Sequence, residues 1–227
     1  MQVSGLRKRA LEMALSRMEG FPSPKPLLEQ YTIPATTAAQ VLWIATYTYD
    51  DIVGKTVFDL GCGTGRLAIG ASMLGAKEVI GVDIDPVAIK IAAKNAMKVT
   101  IRDRPSWIVS DISLIRGRCD TVIQNPPFGV QKRGADRKFL RKALEIGKVV
   151  YSIHKGGEGN REFIKAFIDG LGGKIAKIIP MKMAIPPTFS FHKERKHIID
   201  VDLYRIKGRD KDIEYSGEKK RRLRLSR

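Results

Sequence analysis

The sequence predicts a doubly wound α/β fold, with a seven-stranded, mostly parallel sheet, one antiparallel strand and helices on both faces. Three observations carry this expectation. From Val53 onward, short apolar runs alternate with helix-length segments, the pattern of parallel strands joined by right-handed helical crossovers. A glycine loop, Gly61-Cys62-Gly63-Thr64-Gly65, lies between the first run and the helix-like segment that follows it. The last two apolar runs have no helix-length segment between them, so they are expected to pair antiparallel.

Taken in order, Leu6, Ala10, Leu11, Met13, Ala14, Leu15 and Met18 recur at helical spacing, which predicts an amphipathic helix over 6–18. Pro22, Pro24 and Pro26 then break the pattern and make a stiff linker. A second helix is expected over 36–49. Strands are expected over 55–60, 77–82, 106–110, 119–124 and 147–153, with helices over about 65–74, 85–98, 136–146 and 160–171 between them. The runs 174–180 and 197–206 should pair through the Pro186-Pro187 region. Segment 219–227 carries six basic side chains and no acid, as a solvated tail does. The expected organisation is an N-terminal helix and proline-rich linker over 1–26, one catalytic domain over 27–207 and a basic tail over 208–227.

A chain of 227 residues, 43% hydrophobic, can bury the core of one such domain. Its 41 Lys and Arg against 24 Asp and Glu leave a formal charge of +17, which favours a polyanionic partner, nucleic acid first. No apolar stretch approaches the roughly 18 residues of a spanning helix, and the N-terminus lacks a signal-peptide core, so a cytoplasmic location is expected. Cys62 and Cys119 are too few and too far apart for a zinc site and are expected as free thiols. No metal is expected.

The chemistry is expected at the strand ends. Glycines permit tight turning and close backbone approach to a ligand at a helix N-terminus, so Gly61 and Gly63 should line a ligand cradle. Asp59, at the end of the first strand, can meet an amino group. A dehydrogenase could use a similar loop, but Asp83, ending the second strand beside Ile84, is placed to accept both hydroxyls of a ribose. Asp85 suits the cap of the helix that opens at Pro86. Asp111, after the third strand, could accept from an adenine amino group while Ile112 packs on the ring, or could simply serve its own turn.

Asn125-Pro126-Pro127-Phe128, directly after the fourth strand, is the most specific feature. The Asn125 side-chain oxygen and the Pro126 carbonyl can accept the two hydrogens of an exocyclic NH₂ group, aiming its lone pair, while Phe128 stacks on the ring. The two prolines make that arrangement rigid. Together these features imply methyl transfer from S-adenosyl-L-methionine to an exocyclic nitrogen. Lys132, Arg133, Arg137, Lys138, Arg141 and Lys142 follow as a basic surface beside the expected pocket. The pairs His154-Lys155 and His192-Lys193 lack metal-ligand spacing and are assigned to phosphate or RNA contact.

At this point the sequence resembles the methyltransferase-like protein five family, adenine methyltransferases of small-subunit ribosomal RNA built on a Rossmann-like class I fold. The resemblance runs through Leu28-Glu29-Gln30-Tyr31, Tyr47-Thr48-Tyr49-Asp50-Asp51, the Asp59 to Gly65 loop, Ala71 to Ala76, Asp83-Ile84-Asp85 and Asn125 to Gly129. It continues through Tyr151-Ser152-Ile153-His154-Lys155, Phe189 to Lys193 and Asp200 to Leu203. It implies cofactor contacts at Gln30, Gly61, Thr64, Asp83, Asp111 and Ile112. The family continues Gln-Tyr-Pro-Thr where this chain has Gln30-Tyr31-Thr32-Ile33, so a threonine contact moves to Thr32 or becomes a backbone contact at Ile33. The resemblance further implies a small zinc-containing activator protein bound along a strand edge. Two other activities use the same tetrapeptide, methylation of a protein glutamine and of adenine in DNA. The excess positive charge argues against the first.

Overall fold

The computed structural model describes residues 6–129, 134–185 and 197–208. One sheet of seven strands runs in the order β3-β2-β1-β4-β5-β7-β6. The parallel strands are β1 (Thr56–Leu60), β2 (Glu78–Asp83), β3 (Ser106–Val109), β4 (Cys119–Gln124) and β5 (Gly147–Lys155). Strand β7 (His197–Lys207) is antiparallel to β5 on one side and to β6 (Lys174–Ile185) on the other. The late pair therefore forms as expected, with β7 inserted between β5 and β6. β6 runs five residues past the expected Pro180, pairing down to Ile185 opposite His197. The turn region at Pro186-Pro187 lies outside the described residues.

Helices α1 (Lys8–Ser16), α2 (Ala35–Trp43) and α3 (Arg66–Met73) cover one face. Leu11, Leu15, Leu42 and Ile69 meet Val57, Ile123, Tyr151, Ile153 and Leu203 in one buried cluster. The N-terminal helix thus belongs to the main core. On the other face, α5 (Ala135–Ile146) and α6 (Glu158–Gly170) set Leu140, Leu144, Ile164 and Ile168 against Phe58, Leu60, Val122, Val150 and Tyr204. Period-two alternation along each strand separates these two sets. Helix α4 (Pro86–Met97) packs along β2 and β3. Among the described residues, no helix is long and apolar enough to cross a membrane.

The second expected helix is present over Ala35–Thr48, but its winding changes along the way. Regular α-helix ends at Trp43, and Ile44–Thr48 winds as a wider π turn. That turn delivers Asp51 into a polar knot on the sheet. The Arg205 Nε donates to Asp51 Oδ2 at 2.9 Å, and the Tyr151 hydroxyl donates to the same oxygen at 2.6 Å. The Arg205 guanidinium also lies 4.5 Å over the Tyr49 ring. Both partners of the ion pair are nearly buried, with 11% and 12% of their side chains exposed.

Removing one partner of such a pair leaves a desolvated charge behind. Arg205→Ala is therefore expected to destabilise the fold by about 3 kcal/mol, read from the midpoint of urea unfolding. A loss below about 0.5 kcal/mol, the range of ordinary surface changes, would mean that the knot does not hold the π turn to the sheet.

Candidate active site

Strands β1, β2 and β4 lie side by side, so their carboxyl ends place Asp59, Asp83 and Asn125 on one edge of the sheet. Strand β1 ends at Leu60, and the chain is caught by β2 at once: Gly61 and Cys62 donate their backbone N–H groups to the Val82 carbonyl at 2.8 and 2.9 Å. Gly61 sits at φ +68°, and a Cβ there would stand 2.8 Å from the Phe139 ring. Glycine is thus required both for the turn and for the open floor of the cavity. That cavity, about 280 Å³, is lined by Gly61, Gly63, Asp83, Ile84, Asn125 and Phe139, among others.

Asp83 is held in a fixed attitude. Its Oδ2 accepts from the Gly63 N–H at 2.8 Å and its Oδ1 from the Asp85 N–H at 2.9 Å. Each oxygen keeps a second lone pair for a ligand. Burial raises the carboxyl above its usual range despite those two donors.

Asp59 is more deeply placed, 1% exposed. Its Oδ2 accepts from the Ala68 N–H at 2.9 Å, while its Oδ1 is buried without a partner. Burial pushes this carboxyl up to about 8. Asp59 lines a small recess shared with Thr32, Thr64, Gly63 and Asn125 rather than the main cavity. A buried acceptor with no donor costs free energy that a cationic amine in the recess would recover. The donor set thus suits a ligand carrying an ammonium group, a diol and a flat ring, the last against the exposed Ile84 and the buried Ile112.

One wall of the cavity comes from the linker. Asp85 caps α4 by accepting from the Val87 N–H at 3.0 Å with one oxygen. Its other oxygen accepts from Gln30 Nε2 at 2.8 Å and pairs with Lys25 Nζ at 2.9 Å. Gln30 Oε1 in turn accepts from the Lys25 N–H at 2.9 Å. Thr32 Oγ1 accepts from the Phe21 N–H, and the Ile33 carbonyl accepts from Arg66 at 2.6 Å. Residues 21–33 are so strapped across the strand ends, and Phe21, Leu28 and Tyr31 face the cavity. Gln30 and Thr32, expected as ligand contacts, spend their side chains mainly on this strap. Thr64 is buried, its carbonyl accepting from Asn95.

At the tetrapeptide, Asn125 Oδ1 accepts from the Tyr31 hydroxyl at 3.1 Å, and the Tyr31 and Phe128 rings lie 5.9 Å apart, tilted by 33°. Pro127 lines the cavity and Pro126 is buried beneath it. Sequence reasoning did not assign a role to Tyr31, Phe21 or Phe139. Tyr31 is separated from Asn125 by nearly a hundred residues, and no local pattern links them.

Other expected residues take different places. Asp111 lines the cavity, but its Oδ1 caps the Ile112–Leu114 turn through Ser113 and its Oδ2 pairs with Lys138 at 2.7 Å, which holds it near 2. His154 is corrected: it is 2% exposed, its Nε2 lies 2.7 Å from Ser152 Oγ, and burial pushes it down to about 3. A neutral histidine inside the sheet cannot reach phosphate. Lys142 likewise leaves the basic surface, its ammonium donating to the Ile115 carbonyl at 3.0 Å from a buried position. Lys155 is exposed, and Arg137 and Arg141 lie 5.9 Å over the Phe163 and Phe167 rings. Lys132, Arg133, His192 and Lys193 lie outside the described residues. Among the described residues, no cluster of His, Cys, Asp and Glu could hold a metal ion.

Known proteins share this arrangement. A family model for ribosomal protein L11 methyltransferase (PrmA) matches residues 34–126. The rRNA N(6)-adenosine-methyltransferase METTL5 of Danio rerio is 35% identical over 88% of this chain and 99% of its own length. Uncharacterized protein MJ0284 of Methanocaldococcus jannaschii is 42% identical over 88% of this chain and 94% of its own. Among solved structures, PH1948 of Pyrococcus horikoshii, a proposed RNA methyltransferase, superposes with a TM-score of 0.81 at 43% identity, covering 90% of this chain and 98% of that one.

The strap makes its own prediction. Asp85→Ala removes the cap of α4 and the two linker contacts to Gln30 and Lys25, and is expected to cost about 1 to 2 kcal/mol of stability. It should also speed amide hydrogen exchange at Lys25 and Phe21 well beyond that at β1. Uniform exchange across both regions would show that the strap does not depend on Asp85.

Proposed function

The chain belongs to the rRNA N(6)-adenosine-methyltransferase family, and on that footing we propose that it methylates the exocyclic N6 of an adenine in small-subunit ribosomal RNA. S-adenosyl-L-methionine is its methyl donor. The observation that carries the reading is the meeting of Asn125 to Phe128 with Asp83 and Asp59 on one edge of one sheet.

Asp59 would take the donor's amino group, Asp83 its ribose hydroxyls, and Ile84 and Ile112 its adenine ring, with Gly61 and Gly63 leaving room for it. Gln30 and Thr32 support the site by fastening the strap. When bound, the donor supplies a methyl group on a cationic sulfonium. The protein's own part is to position and to exclude water. Asn125 Oδ1 and the Pro126 carbonyl orient the acceptor amine, so that orientation rather than a strong base supplies the acceleration. The target base must leave its stack or be unpaired, at a cost of a few kcal/mol that stacking on Phe128 helps offset.

Lys138, which borders the cavity, and Lys155, Arg137 and Arg141 would meet phosphates, together with Lys132, Arg133, His192, Lys193 and the basic tail. These contacts add affinity without selecting sequence. The activator protein is retained as a proposal. It is supported by edge strand β3, where Ile108 and Val109 are exposed and only β2 is paired. A cytoplasmic site of action accords with a ribosomal substrate.

The direct test is mass-spectrometric mapping of methylated nucleosides in ribosomal RNA with and without the gene. Loss of one N6-methyladenosine from the small subunit is the expected result; methylation of a release-factor-like peptide with RNA unmodified would replace the reading by the glutamine one. Asn125→Ala is expected to lower turnover by at least about a hundredfold, the scale of a lost orienting contact, with donor affinity within a few-fold of wild type by calorimetry. Turnover within a few-fold of wild type would remove Asn125 from the chemistry.

Asp59 adds a pH dependence. Without ligand its carboxyl is protonated below about 8, whereas an ammonium partner stabilises the carboxylate, so binding should release a proton. Affinity is expected to rise by up to about tenfold per unit between pH 6 and 7, where the donor's own amine stays charged. Asp59→Asn should abolish the slope, and a flat wild-type profile would mean that Asp59 does not meet the amine.

A further inference from the structure

Tyr31 makes two contacts that the acceptor base itself would need. Its hydroxyl donates to Asn125 Oδ1 at 3.1 Å, which is the bond an exocyclic N–H would make, and its ring lies against Phe128 at 5.9 Å between centroids. A planar base stacked between the two rings would need about 7 Å, two carbon contacts of ~3.5 Å each. The observed spacing is too short to admit one. Tyr31 also borders both the main cavity and the small recess below Asn125, so it stands at the junction between donor and acceptor.

Resting on the function proposed above, we infer that the Tyr31 phenol fills the acceptor-base subsite. Its ring and hydroxyl stand where the adenine ring and amino group go, and the base enters as the phenol swings aside. The backbone need not move. Gln30 on one side is held by Asp85, and Thr32 and Ile33 on the other by Phe21 and Arg66, so the exchange is confined to one side chain. Burial raises the phenol well above its usual range, so it remains a donor across the working pH range and always competes for the Asn125 oxygen. A base with no N–H to offer that oxygen cannot replace the bond it displaces, which makes Tyr31 a filter for amino-bearing bases.

The sign of one substitution separates this role from mere support. Tyr31→Phe keeps the ring and removes the competing donor. If the phenol stands in for the base, KM for a small-subunit RNA fragment should fall by about threefold to tenfold, the worth of one neutral hydrogen bond. Adenosine 5′-monophosphate should bind correspondingly tighter in calorimetry with S-adenosylhomocysteine present. If Tyr31 only braces Asn125, the same change raises KM or lowers kcat, and the inference is overturned. An unchanged KM overturns it as well. A wild-type protein that methylates no adenine in RNA would instead remove the functional reading, and the subsite with it.

Discussion

Because β1 is hydrogen-bonded to β2 on one side and to β4 on the other, the chain must leave the sheet in opposite lateral directions after β1 and after β4. That reversal opens a crevice at the carboxyl edge, and everything chemical in the molecule depends on it. Asp59, Asp83 and Asn125 come from three separate crossovers, yet parallel pairing leaves them no freedom to separate. The loop after β1 is fastened to Val82 of β2 by two backbone bonds, so the ligand cradle and the Asp83 strand end move as one body. Preorganisation of this kind is what an enzyme without a strong catalytic base must rely on.

Much of this was legible in the sequence, for identifiable reasons. The central parallel strands, buried on both faces, read as apolar runs, and helices of eight to thirteen residues follow β1, β2, β4 and β5, so the alternation survives even without partners. The strand-end residues were legible because glycine, proline and acidic residues mark strand ends by their own backbone chemistry. Asp85 as helix cap followed from the proline behind it. What stayed hidden depends on contacts across the chain. Nothing near Asn125 announces Tyr31, and nothing near Asp111 announces Lys138. His154 was misplaced because its basic neighbour suggested a surface. His154 ends a run, Val150 to His154, that is buried on both faces of β5, and Ser152 and Tyr204 enclose it, while Lys155 is exposed at the strand end. Gln124 Nε2 donates to Ser152 Oγ, which lies 2.7 Å from His154 Nε2, and burial keeps the imidazole neutral.

The strap of residues 21–33 explains why a proline-rich segment lies beside a catalytic edge. Three prolines limit the states the linker can visit, so fixing it costs less entropy than fixing an ordinary loop. Its anchors are few and shared. Asp85 caps a helix, holds Gln30 and pairs with Lys25, so the segment is fastened to the N-terminal turn of α4, next to Asp83. Glu29 adopts a left-handed conformation at φ +50°, a strained setting for a residue with a side chain, and the neighbouring Gln30 bonds hold it there. Cofactor wall and acceptor gate thus share one short stretch of chain, with Gln30 serving the first and Tyr31 the second.

Charge is layered in the same direction. The inner site holds two carboxyls, the buried Asp59 and the half-buried Asp83, both raised by desolvation, and they suit a cationic ligand. The rim carries cations, Lys138 over Asp111 and Arg137 beside Gly134, and farther along α5 Arg141 lies over the Phe167 ring of α6. A polyanion is therefore attracted to the rim, while a cationic ligand in the inner site favours the ionised form of the two carboxyls. The arrangement also separates the shared half of the protein from the particular one. The match to a protein-methyltransferase model stops at Pro126, within the tetrapeptide, and covers the donor site. The basic rim from α5 onward lies beyond it. Asn125 and Pro126 fall inside the match, whereas the two rings beside them, Tyr31 and Phe128, fall outside it on either side, so the part shared with the protein-methyltransferase model leaves out both aromatic faces of the tetrapeptide's surroundings.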